Sequence, residues 1–165
     1  MRRFVSSAGA ALLLLAGGLP GPAAAQASKE IVGAWTLVSL TVERDGRTVD
    51  FYGPNPLGQT IFDPNGRFSS IFIRSDLPTF ASNNREAGTP EENRAVVQGS
   101  IAFFGAYSVG PGNILNLHIE GSTFPNWRGV DQRRPFELAG DELRITNPTA
   151  STGTGGTKQV WRRAK

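Results

Sequence analysis

His118, Glu120, Gln132 and Arg134 are the residues through which this chain could do chemistry. His118 is the only histidine. Its neutral imidazole could take a proton or orient a ligand. Glu120 stands two residues along the same run, roughly 6–7 Å away by strand rise, which is long for a tight acid–base pair. Arg134 could clamp a ligand carboxylate with its planar fork of donors, and Gln132 shares its face. Each residue also has a structural reading. A strand histidine can be a satisfied structural residue, and Arg134 could pair with Glu120 or Glu137 and lock neighbouring strands.

Other chemistries find little support. The chain has no cysteine, so thiol nucleophiles, disulfides and thiolate metal sites are absent together. One histidine with scattered carboxylates gives no metal-ligand spacing, so neither metal nor cofactor is expected. No Gly-x-Ser-x-Gly elbow occurs. Among the aromatics, Trp35 and Trp161 read as core. Trp127, in a Pro-Asn-Trp turn, reads as a rim residue suited to a ligand. Phe68, Phe72, Phe104 and Tyr107 offer contact area, and Asn55 reads as a turn residue.

Strands must position these side chains. Leu115 to Glu120 alternates, with Leu115, Leu117 and Ile119 on one face and Asn116, His118 and Glu120 on the other. Val130 to Leu138 alternates too, and one face carries Val130, Gln132, Arg134, Phe136 and Leu138. That mixture of apolar residues, an amide and a guanidinium suits a sheet closed around a cavity better than a solid core, because a buried arginine needs a partner.

Ile31 to Glu43 reads as a long β-branched strand, with Trp35, Leu37, Ser39 and Thr41 on one face. Asp45-Gly46 turns it into a short strand near Thr48 to Phe51. After the Gly53-Pro54-Asn55-Pro56-Leu57-Gly58 loop, strands at Gln59–Phe62 and Arg67–Arg74 flank an Asp63-Pro64-Asn65-Gly66 turn. Ser75 to Gly99 breaks the pattern. Thr89-Pro90-Glu91-Glu92 caps a helix ending near Gly99, and this excursion is a candidate lid. Ser100–Val109, Glu142–Asn147 and Lys158–Arg163 complete the strands, with Gly105 marking a bend or bulge. Pro135 would cost a ladder bond, so its strand should be bulged or at an edge there. About eight or nine strands joined mostly by tight turns favour an all-β, antiparallel up-and-down barrel with one short helix.

The first residues read as a leader. Arg2 and Arg3 precede a short apolar run centred on Leu12–Leu15, and Ala23–Ala27 offers small-x-small cleavage sites. A signal peptide over 1–27 would leave one domain over 28–165, exported to the periplasm or beyond, with no membrane span in the mature chain. The formal charge of +3 falls to +1 without the leader, since no acid goes with the two arginines. Basic residues are interspersed with acids, so no nucleic-acid partner is expected.

Several marks follow in order: Gly33-Ala34-Trp35, the Gly53–Gly58 loop, Asp63-Pro64-Asn65-Gly66-Arg67, Phe104-Gly105-Ala106-Tyr107, His118-Ile119-Glu120-Gly121-Ser122, Pro125-Asn126-Trp127, Gln132-Arg133-Arg134-Pro135-Phe136 and Trp161-Arg162-Arg163. In these the chain resembles the bacterial and fungal lipocalin-like domain family over nearly its whole mature length. The resemblance implies a lipocalin-like barrel with Trp35 closing one end, and it brings no catalytic set.

The expected function is binding of a small hydrophobic or amphipathic ligand in the barrel cavity, with His118, Gln132, Arg134, Tyr107, Trp127 and Phe72 as contacts. The alternatives are a small enzyme moving a proton with His118 as base, and a structural envelope protein with a filled barrel.

Overall fold

The computed structural model describes residues 29–151 and 155–165. The leader expected over 1–27 lies outside them. Nine strands form one antiparallel sheet: β1 (Gly33–Arg44), β2 (Arg47–Asp50), β3 (Leu57–Phe62), β4 (Arg67–Ile73), β5 (Ser100–Gly110), β6 (Ile114–Ser122), β7 (Asp131–Ala139), β8 (Glu142–Asn147) and β9 (Thr157–Arg163). Residues 29–31 are helical, and the longer helix between β4 and β5, α1, spans Pro90–Gly99.

The sheet closes because β1 pairs with both β3 and β9. Eight strands make the barrel. The ninth, β2, lies alongside only the second half of β1, at Thr41–Arg44. Closure removes the long open edges on which other chains could pair.

Most strands bury every second residue, as their alternation requires. β1 does not keep one face throughout. A register shift between Leu37 and Ser39 switches the inward set from Trp35 and Leu37 to Leu40 and Val42. The expected uniform face of Trp35, Leu37, Ser39 and Thr41 is therefore corrected. The bulge adds a residue on one strand and flips the pleat.

Gly105 sits at the second register shift, between Phe104 and Gly105 on β5, as the sequence anticipates. A Cβ at this position would collide with the His118 backbone carbonyl. Pro135 is neither bulged nor on an edge strand. The β6 ladder ends at Ile114–Pro135, and the β8 ladder starts one residue later at Phe136–Ile145. Proline is tolerated there because it stands at the junction of the two ladders.

α1 begins as its sequence predicts. Thr89 caps the Glu92 N–H, and the Glu92 carboxylate returns to the Thr89 N–H at 2.8 Å. The same carboxylate accepts from the Ala81 N–H, which ties the preceding loop to the helix.

Candidate functional site

The two ends of the barrel are built differently. At one end Trp35 is fully buried, and its indole N–H donates to the Ile31 carbonyl at 2.8 Å. Arg163 lies over the Trp35 ring at 4.2 Å. Its guanidinium donates to the Val32 and Glu30 carbonyls and pairs with Asp141. Phe62, Phe68 and Tyr107 pack nearby, and the Tyr107 hydroxyl donates to the Asp63 carbonyl. This end is plugged.

At the other end a narrow pocket, with about 30 Å³ of free space, opens between β1, β4, β5, β8 and β9. Its walls stand close together. The walls are Leu40, Phe51, Tyr52, Phe72, Ile101, Phe103 and Trp127, and the polar lining is Asn147, Thr157 and Gln159. The three polar residues converge because Asn147 pairs with Thr157 across β8–β9, and Gln159 lies two residues on, on the same face. Tyr52 arrives from the turn after β2.

These polar groups have hydrogen bonds to spare. Among the described residues, neither the Tyr52 hydroxyl nor the Thr157 hydroxyl has a protein partner. The Gln159 carbonyl accepts from the Trp161 indole and the Asn147 carbonyl from the Thr149 N–H, which leaves both amide nitrogens available. No fully enclosed side-chain nitrogen or oxygen lacks a partner among the described residues. The spare groups therefore border accessible space. Burial pushes the Tyr52 phenol up to about 12, so it is a neutral donor at ordinary pH.

Arg134 is the only formally charged residue buried among the described residues, at 2% exposed. Its Nε and Nη2 both donate to one acceptor, the Gln132 side-chain carbonyl, at 3.1 and 2.6 Å. Its guanidinium carbon lies 5.2 Å from the Phe103 ring centre and 5.6 Å from that of Trp127. Both rings also wall the pocket. The ion pairs weighed from sequence do not form: Glu120 pairs with Arg67, and Glu137 is exposed on the outer face of β7 opposite Arg144. Burial alone pulls the guanidinium down to about 9, which still leaves it charged at neutral pH. Burying such an ion costs several kcal/mol; cation–π contacts return about 2 kcal/mol when desolvated, and hydrogen bonds from a charged donor about 1.5–3 kcal/mol.

The structure thus brings four of the six expected contacts toward one end. Phe72 and Trp127 line the pocket, and Gln132 and Arg134 adjoin its Phe103–Trp127 wall. Tyr107 is interior but belongs to the plugged end. His118 is corrected: it lies on the outer face, 53% exposed, with Nδ1 2.7 Å from Asp131. Leu117 and Ile119 take the inward positions on β6, and strand alternation sends His118 out. Phe104 likewise points out, 52% exposed, and covers Gly121. Phe68 is core.

Tyr52, Asn147, Thr157 and Gln159 were not singled out in the sequence. For the last three the signal was there. Leu143-x-Ile145-x-Asn147 and Thr157-x-Gln159-x-Trp161 mix polar and apolar residues on one face, as β7 does. Tyr52 lies in a turn with no periodicity to read.

No group of histidine, cysteine or carboxylate side chains suited to a metal occurs among the described residues. No helix among them is long and apolar enough to cross a membrane. A family model described as a lipocalin-like domain matches residues 32–164, and no curated protein matches the chain.

Proposed function

The chain belongs to the lipocalin-like domain family, and from that premise we propose that it is an exported protein that binds a small hydrophobic or amphipathic ligand at the open end of its barrel. The observation that carries this reading is the pocket itself. Aromatic walls meet a convergent set of hydroxyl and amide groups with hydrogen bonds unused among the described residues. A site built only to fill the barrel would place apolar side chains at these positions. The free space is small, about 30 Å³, so a guest must displace Trp127 on its uncapped turn to enter. Export rests on the basic, apolar and small-residue pattern of residues 1–27.

The enzymatic reading loses its base, since His118 stands outside the barrel and faces Asp131. The filled-barrel reading describes the Trp35 end and fails to explain the other.

The test is extraction of the mature protein from its native envelope or medium, followed by mass spectrometry of what it releases on denaturation. A retained apolar or amphipathic molecule is expected, carried by the wild type and reduced in W127A. No retained molecule across growth conditions would overturn the reading.

A further inference from the structure

We propose that Arg134 and Gln132 form an anion subsite at the inner edge of the pocket, and that the natural ligand is a monocarboxylate with a short apolar or aromatic body. This deepens the binding reading above and rests on it.

The argument begins with an uncompensated charge. Arg134 has five N–H donors. Only Nε and Nη2 are used, and both meet a single neutral oxygen on Gln132. The remaining nitrogen, Nη1, has no partner among the described residues. No carboxylate among the described residues pairs with the guanidinium: Glu120 is held by Arg67, and Glu137 faces outward. A barrel that needed only volume here would place an apolar side chain.

The chemistry of the site then selects its guest. A guanidinium presents parallel donors matched to the two oxygens of a carboxylate. Gln132 holds one side of the fork in place and leaves the other side to the ligand. The ligand body would rest on Phe72 and Phe103 in the pocket, while its head reaches Arg134 past the edge of Trp127. Trp127 suits this role. It is half-buried, stands on the short 3-10 turn Pro125–Trp127, and that turn has no side-chain cap. Binding therefore shifts Trp127, and its fluorescence reports the event.

The experiment compares 3-phenylpropionate with 3-phenylpropanol, which share a body and differ in the head group. Each is titrated into the delipidated mature protein, followed by calorimetry and tryptophan fluorescence. The wild type should bind the acid at least about tenfold more tightly than the alcohol, the margin of one charge-assisted contact. R134M should erase that preference and leave alcohol binding in place. R134K, which keeps the charge but loses the fork, should fall between them. Equal affinity for acid and alcohol in the wild type would overturn the anion subsite and leave the binding reading standing. An acid preference that survives in R134M would also overturn it. Binding of neither compound would overturn both. R134M should also melt, ligand-free, no lower than the wild type; a large fall would make Arg134 a structural residue and contradict the proposal.

Discussion

Each end of this barrel sets an arginine against a tryptophan, and the two pairs differ in what completes them. Arg163 over Trp35 is finished by the protein: two backbone carbonyls and Asp141 meet its guanidinium. Arg134 beside Trp127 is left unfinished. It is buried more deeply and, among the described residues, donates to one amide oxygen only. The first pair is a plug whose hydrogen bonds are closed locally. The second spends stability on a charge the fold does not neutralise, which is how binding sites depart from the rules that govern cores. One sheet thus carries two solutions to the same side-chain pairing, set by which partners the neighbouring backbone offers.

The largest test of that contrast is truncation of the two tryptophans. W35A should cost about 4 kcal/mol in urea unfolding, the usual loss for a fully buried indole. W127A should cost about 1 kcal/mol, since it gives up edge contacts to Phe103 and Phe124 on a half-exposed turn. Equal losses would break the distinction. The arginines come next. R163M should lose about 2 kcal/mol with its charge-assisted bonds to Val32 and Glu30. R134M should lose nothing when no ligand is present.

A smaller effect concerns the segment that borders the open end. The N–H groups of Ala81 and Thr89 hold the Glu92 carboxylate below its ordinary range. Its stabilising contribution is present above the unfolded carboxylate value, near 4.5, and is lost as pH falls through the lower folded value. The protection factor of the Ala81 amide should therefore fall as acidification protonates Glu92, while that of Trp35 and its surroundings holds. The smallest effect is expected at His118. H118A should change stability by less than about 0.5 kcal/mol, as surface substitutions do, and leave ligand titrations unaltered.

Much of this was legible in the sequence. Alternation placed the strands to within a few residues, Thr89-Pro90 fixed the helix start, and Gly105 announced its register shift. The mixed face of Gln132, Arg134 and Phe136 pointed inward as read. Reading failed where a single residue changes the phase. The shift at Leu37–Ser39 turned Leu40 inward, and no local residue type marks it. His118 was drawn toward the cavity by its chemistry, although its own strand already placed it opposite Leu117 and Ile119. The partner of Arg134 was beyond sequence altogether. Whether Glu120 or Glu137 could reach it depends on inter-strand register and on Arg67 claiming Glu120 from a strand more than fifty positions away.

The most direct test of two unlike ends is a map of backbone amide shifts as 3-phenylpropionate is added to the labelled mature protein. Shifts should gather at Tyr52, Ile101, Phe103, Trp127 and Gln159, with Trp35 and Arg163 unmoved. Shifts centred on Trp35, or on the outer face around His118, would contradict the account.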